Sequence, residues 1–480
     1  MTLVAGVDSS TQSCKIAICD ADSGRLLRSG SAPHPPGTEI DPEYWWQALQ
    51  SAIRDAGGLD DVTAISVGGQ QHGLICLDAR GAVIRPALLW NDTRSAGAAR
   101  DLVDEMGGGD HATGIRRWTD AVGSAPVASL TITKLRWLAD HEPAAAARIA
   151  AIALPHDWLS WRLRGARSLD DLVTDRSEAS GTGYFDPVAG AYRRDLLAMA
   201  LRCSEAHARE IVLPTVSDPA APTGTCDPAL GRPEMVVGPG CGDNAGAALG
   251  LGLRTGEVML SLGTSGVIAA PAAAPVRDPS GAVAGFADAT GGFLPLVCTL
   301  NATRILDTTA AVLGVDLDEL SALALAAPSG AAGLIQVPYL QGERTPNLPH
   351  ATGCLYGMTV ESMTRENIAR AAVESLLCLT AAAAEHVRRG SVPIDRITLV
   401  GGGARSAAVC AIAPAVFGVP VDVPAIGEYV AAGAARQAAW VLSSAPQPPV
   451  WARAEVRTFV ADPSPELLAR YQEAAARSRL

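Results

Sequence analysis

Lysine is nearly absent from this chain of 480 residues: Lys15 and Lys134 are its only two. Neither follows a glycine, so the Gly-x-x-x-x-Gly-Lys-[Ser/Thr] phosphate loop is missing and any ATP must be held by another device. Aromatic residues make up only 4%, beside 48 glycines, which predicts closely packed interiors built from small side chains. The ten cysteines contain no Cys-x-x-Cys pair, which excludes the common zinc and dithiol motifs. Cys14, Cys19, Cys76, Cys298, Cys378 and Cys410 lie in apolar stretches and are expected to be free, buried thiols of a reducing cytoplasm. No apolar run reaches the roughly 18 residues of a membrane span. The segment from Met1 to Asp8 lacks the basic start and apolar core of a signal peptide, so a cytoplasmic location is expected. The net charge of −12 argues against holding nucleic acid or an acidic membrane by bulk charge.

What is present is a chain of 48% hydrophobic and 18% charged residues, able to bury large cores. At roughly 150 residues per domain, two or three domains are expected. The sequence repeats a pattern. Leu3–Val7 reads as a buried strand, Asp8–Ser13 as a polar turn and Cys14–Cys19 as the returning strand. Past the midpoint, Glu257–Leu262, Gly263–Gly266 and Val267–Ala270 read the same way. Each hairpin is followed much later by a strand ending in glycines, Ile65–Gly69 and Ile397–Gly403. Two α/β domains of related plan follow.

Helices are well marked. Asp41 caps one with Pro42 at its first position and Trp45, Trp46 and Leu49 on its apolar face. Thr364 starts a long one that Gly390 stops, and Ser464-Pro465-Glu466 starts a terminal one. The expected division is a domain over 1–245, a second over 246–445 and a tail over 446–480 that carries the last helix.

Four segments carry chemistry. Each hairpin turn offers backbone N–H groups and hydroxyls that suit anionic oxygens, with Asp8 placed to hold a metal directly or through water; ordinary turn chemistry explains such a turn equally well. Gly238-Pro-Gly-Cys-Gly-Asp243-Asn244 runs into a helix of small residues. Asp243 there is a general base, a metal ligand or merely an N-cap. Gln70-Gln71-His72-Gly73 and Trp90-Asn91-Asp92 suit sugar hydroxyls, with Trp90 against a sugar face, although His72 alone reads equally as a structural histidine. Gly401-Gly402-Gly403 opening a helix suits a nucleotide; Gly401-x-Gly403-x-x-Ser406, with Asp422 after it, also approaches a dinucleotide fingerprint.

The order of these motifs resembles the FGGY family of carbohydrate kinases over nearly the whole chain. The segments that carry it are Gly69-Gln70-Gln71-His72-Gly73, Leu89-Trp90-Asn91-Asp92-Thr93-Arg94-Ser95 and Gly242-Asp243-Asn244-Ala245. Leu262-Gly263-Thr264-Ser265-Gly266, Gly342-Glu343-Arg344-Thr345-Pro346 and Gly401–Ser406 add to them. The resemblance implies two actin-like ATPase (ribonuclease H-like) α/β domains with a cleft between them. It implies that Asp243 is the catalytic base and that Asp8 serves activity and Mg²⁺. It implies that Thr11, Gly263, Thr264, Ser265, Gly401, Gly402, Gly403 and Ser406 bind ATP. Gln71, His72, Trp90, Asn91 and Asp92 would bind the sugar. Relatives acting on ketopentoses have methionine where this chain has Gln71. The expected reaction is transfer of the γ-phosphoryl group of MgATP to the terminal hydroxyl of an open-chain ketopentose, D-xylulose, in the enzyme's monomer or homodimer. The rivals are a sister kinase for ribulose, gluconate or another polyol, a dinucleotide-dependent oxidoreductase, and an actin-like ATP-binding module without a sugar.

Overall fold

The computed structural model describes residues 1–452 and 455–478. Its chain forms two compact units. The first is Met1–Gly252 with Ala273–Leu294 and Gly427–Arg453, and the second is Leu253–Ala272 with Pro295–Ile426 and Ala454–Leu480.

In the first unit, β1 (Leu3–Ser9) and β2 (Ser13–Asp20) form the expected hairpin, extended by antiparallel β3 (Leu26–Pro33). On its other side β1 pairs in parallel with β4 (Val62–Gly69). The sheet continues through β6 (Val236–Val237), parallel to β4, to antiparallel β5 (Gly224–Thr225) at the edge. A short β7 (Cys241–Gly242) also pairs in parallel with β4. Strands this buried read as continuous apolar runs, as Val4, Ala5 and Val7 do.

The second unit repeats the plan. Its hairpin is β8 (Gly256–Leu262) and β9 (Gly266–Ala269), extended by antiparallel β10 (Phe293–Thr299). Beside β8 lie parallel β11 (Ile394–Val400), parallel β12 (Val421–Pro424) and antiparallel β13 (Val456–Phe459). Even the register slip at the start of the first strand recurs, at Leu3/Val4 and at Gly256/Glu257. The internal repeat is one of topology, carried by few shared residues.

The expected helix starts hold. Asp41 accepts from the Glu43 amide at 3.0 Å, and Trp45 and Leu49 are fully buried below it. Thr364 accepts from the Asn367 amide at the head of Arg365–Arg389. Gly390 ends that helix without a left-handed turn, which Ser391 makes instead at φ 61°. Among the described helices Arg365–Arg389 alone is long and apolar enough to cross a membrane, and 83% of its apolar window is buried in the protein. None of the ten cysteines forms a disulfide, and Cys298 is half-buried rather than buried.

The division of the chain differs from the expected single cuts at 245 and 445. Helix Tyr429–Ser443 belongs to the first unit. Its small residues explain this: a Cβ on Gly433 would lie 1.9 Å from the Gly246 carbonyl oxygen, so two helix backbones touch there. The expected tail is likewise divided. Residues 446–452 stay with the first unit, and β13 with helix Pro465–Arg477 joins the second. Residues 453, 454, 479 and 480 of that tail lie outside the described residues.

Candidate active site

The parallel strands of the first unit bring three distant motifs to one sheet end. Asp8 lies near the end of β1 and is in register with Gly68 of β4, while Cys241 and Gly242 of β7 are in register with Gly68 and Gly69. The chain leaves β4 into Gln70-Gln71-His72 and leaves β7 into Asp243. Ligand sites of α/β sheets form at such carboxyl ends. The first hairpin closes at the same end, with the Ser10 amide donating to the Ser13 carbonyl at 3.0 Å.

Asp8 is buried, and its Oδ1 has no hydrogen-bond partner among the described residues. Its pKa is raised to about 7, mainly by burial and next by the charge of Asp243; Glu428 adds to this and Lys15 opposes it. Lys15 stands across the hairpin from Asp8 and pairs with Glu428 at 2.6 Å. Asp243 is the first residue of helix Asp243–Leu251, and Gly242 is the N-cap, so capping does not account for the aspartate. Its Oδ1 accepts from the amide and side chain of Asn244 at 2.7 and 2.8 Å. Asp243 keeps part of its surface accessible, but protein surrounds it closely; that burial raises its pKa to about 6 against the Asn244 bonds that lower it. Two adjacent carboxyl groups poised near neutrality suit proton transfer better than structural pairing.

Gln71 is buried, and its Nε2 donates to the Ser177 carbonyl at 2.9 Å, which fixes the amide's orientation. A Cβ on Gly242 would fall 2.6 Å from that nitrogen, so the glycine before Asp243 makes room for Gln71. His72 adopts a left-handed backbone at φ 72°, a conformation that recurs at functional sites. Its Nδ1 donates to the Gly181 carbonyl at 2.7 Å, and its ring lies 5.8 Å from that of Phe286. Trp90 is 39% exposed and donates from Nε1 to Thr11 Oγ1 at 2.8 Å, linking the expected sugar segment to the turn of the first hairpin. Asn91 Oδ1 is buried without a partner among the described residues. Asp92 differs: Thr38 donates to one of its oxygens, and Arg94 donates to the other through its amide and guanidinium. Burial would raise the Asp92 pKa, but these bonds outweigh it and hold the group below its ordinary value.

In the second unit the turn Gly263–Ser265 ends β8, and Gly401–Gly403 ends its parallel neighbour β11. Gly401 has φ 86°, and a Cβ there would meet the Leu262 carbonyl oxygen at 2.7 Å, so the glycine loop leans on the hairpin's strand. Thr264, Gly401 and Gly402 are exposed. Ser406 Oγ caps helix Ala407–Phe417 by accepting from the Val409 amide at 3.3 Å. Asp422 lies inside β12 rather than at its end, and Arg396 and Thr458 both donate to its Oδ1. It is therefore engaged by protein and not presented to a ribose, which removes the support for a dinucleotide fingerprint.

The profile of the N-terminal domain of the FGGY family of carbohydrate kinases matches residues 3–250, and that of the C-terminal domain matches residues 258–442. The chain belongs to the FGGY family of carbohydrate kinases. It is 44% identical to a xylulose kinase of Streptomyces coelicolor, over 92% of this chain and 88% of that one. The crystal structure of xylulose kinase from Bifidobacterium adolescentis superposes with a TM-score of 0.94 at 50% identity, covering 99% of both chains. The glycerol kinase of Plasmodium falciparum with ADP shares the fold at 17% identity and a TM-score of 0.85, covering 100% of this chain and 99% of that one. The two-unit α/β architecture is thus that of FGGY kinases, and ATP is the phosphoryl donor of such an enzyme.

Several buried polar residues of this FGGY kinase carry no clear mark in the sequence. Helix Arg176–Ser180 is capped by Asp175, whose carboxylate accepts from the Ser177 and Glu178 amides and from Ser177 Oγ. Ser177 then ties both sides of the site, accepting from Gln71 at its carbonyl and from the Gly242 amide at Oγ, 3.0 Å away. Behind it His156, wholly buried, lies 3.4 Å from Asp157 and 3.3 Å from Asp175. The one local signal was Asp175 followed by Ser177 and Glu178, an N-cap pattern.

Proposed function

We propose that this protein is a xylulose kinase, phosphorylating D-xylulose to D-xylulose 5-phosphate with ATP. The observation that carries the reading is the pairing of Asp8 and Asp243 at one sheet end with Gln71 and His72, in a chain 44% identical to a xylulose kinase over 92% of its length.

The open-chain sugar lies against Gln71, His72, Asn91 and Trp90. Asp92, both oxygens engaged, braces that loop through Arg94 and Glu39. Gln71's amide nitrogen is taken up by Ser177, so its oxygen is the atom left for a sugar hydroxyl; the family's methionine offers no comparable acceptor. Asp243, ionised above about pH 6, takes the proton of the terminal hydroxyl. That oxygen forms its bond to the γ-phosphorus as the bond to the bridging oxygen breaks and ADP leaves. Such transfer passes through a loose transition state, so positioning and charge neutralisation do most of the work. Each turn by itself offers donors that suit phosphate oxygens: the Thr11 and Gln12 amides with the Thr11 hydroxyl in the first unit, and the Thr264 and Ser265 amides with the Thr264 hydroxyl in the second. Gly401–Gly403 and the Ser406 turn hold the adenosine side.

Mg²⁺ fits the residues present. Asp8 offers a buried oxygen without a partner, and among the described residues no cluster of three His, Cys, Asp or Glu side chains would hold a metal alone. This suits an ion carried by ATP phosphates and water and held by Asp8. Bound there, it offsets phosphate charge and favours the ionised form of Asp8. Free thiols and use of MgATP are consistent with a cytoplasmic enzyme.

ADP release measured across D-xylulose, D-ribulose, L-ribulose, D-gluconate and glycerol tests the assignment. D-Xylulose should give the highest kcat/KM. A higher value with any other acceptor would overturn the sugar while leaving the kinase intact.

A further inference from the structure

Glu178 has no place in the mechanism above, yet its setting is unusual. It is 0% exposed, and neither carboxyl oxygen has a hydrogen-bond partner among the described residues. It sits on the short helix that ties Gln71 to Gly242, within electrostatic reach of Asp157, Asp175 and Asp243. The elements packed around that helix bring few other ionisable groups. β7 brings Cys241, held as a thiol by burial. Strand Phe185–Asp186 brings Asp186, paired with Arg277, and strand Ala284–Ala287 brings none. On the helix itself, Arg176 reaches outward to the carbonyls of Pro187 and Gly291.

Charge balance decides the state of this carboxyl group. Among the described residues the basic side chain of the cluster is His156; burial disfavours its charge, but Asp157 and then Asp175 outweigh that and raise its pKa, while burial raises that of Asp157. Asp175 is stabilised by three donors at the helix start. Among the described residues no cation pairs with Glu178, and an unpaired ion in such surroundings costs several kcal/mol. Burial first, then the three acid neighbours, place its pKa well above the ordinary value.

We propose that Glu178, sealed on the helix that ties Gln71 to Gly242, stays neutral and carries a proton, leaving Asp243 as the one charged group at the sugar end of the cluster. An ionised Glu178 would raise the pKa of Asp243 further and leave less base at neutral pH. The proposal rests on Asp243 being the base, and it separates two electrostatically linked carboxyl groups by state: one charged and reactive, the other neutral.

Infrared difference spectroscopy of the ligand-free protein at pH 8 tests it, comparing wild type with Glu178→Gln and Asp243→Asn. The carbonyl stretch of a protonated, non-hydrogen-bonded carboxyl group should be present in wild type, lost in Glu178→Gln and retained in Asp243→Asn. Should Glu178→Gln not fold, 13C-glutamate labelling must move the same band in wild type. In the kinetic arm, Glu178→Gln should change kcat/KM by less than about threefold and leave its acid limb in place. Absence of the band, its loss in Asp243→Asn, or an acid limb displaced to lower pH by about one unit in Glu178→Gln would overturn the proposal. The infrared readout involves no sugar, so it places the proton whichever acceptor the enzyme phosphorylates.

Discussion

Replacing Asp243 with Asn should abolish turnover and stabilise the fold at the same time. Burial lifts the Asp243 pKa from 3.8 to about 6. At about 1.4 kcal/mol per unit, ionisation in the folded protein then carries a penalty of about 3 kcal/mol. Asp243 keeps some accessible surface, so a realistic gain on removing the charge is about 1–2 kcal/mol. The sign follows from proton binding. Between pH 3.8 and 6 the folded protein holds the proton more tightly than the unfolded chain, so stability falls as pH rises through that window and the loss is complete above it. Asp243→Asn should therefore raise the apparent melting temperature by about 2–6 °C at pH 8 and by little at pH 4. Its kcat should fall by about 10²–10⁴. Differential scanning fluorimetry at both pH values, beside coupled ADP release, reads both effects. A variant less stable than wild type at pH 8, or one that keeps turnover, would refute the account of Asp243 as a buried, charged base.

Three further outcomes follow from the same geometry. The kcat/KM for sugar should decline below about pH 6 in a pH–rate profile, as Asp243 takes up a proton. Gly401→Ala, with φ 86° and a Cβ 2.7 Å from the Leu262 carbonyl, should raise KM for ATP several-fold and leave sugar affinity, read by isothermal titration with D-xylulose alone, near wild type. Gln71→Met should retain ATP affinity and some turnover; it should raise KM for D-xylulose and, by leaving the Ser177 carbonyl without its donor, lower stability by about 1 kcal/mol in urea denaturation.

How legible the site was depends on the kind of residue. Asp8, Gln71, His72 and Asp243 stood out because each follows a strongly apolar strand and interrupts it with polar residues or glycine. Such interruptions at strand ends are visible in one dimension. Glu178 and His156 gave no such mark. A glutamate inside Arg-Ser-Glu-Ala-Ser reads as a solvated helix residue, and only packing shows it sealed among three other acids. Asp92 was legible as polar, with Arg94 a local partner two residues on, but its engagement by Thr38, 54 positions away, was not, because the fold brings that donor to it. That Tyr429–Ser443 packs with the first compact unit was hidden for a related reason. Small residues at Gly433 and Gly246 permit two backbones to touch, but their sequence does not say which two.

Local physics alone settled the strand–turn–strand repeat, the helix caps at Asp41 and Thr364 and the absence of a lysine-bearing phosphate loop, since each depends on a few neighbouring residues. Tertiary structure alone decided that Asp8 and Asp243, 235 positions apart, lie on either side of Gly68 and Gly69. It also decided which acids lose contact with water. Carboxyl groups acquire their proton affinity from burial and from one another's charge, and both are properties of the folded arrangement.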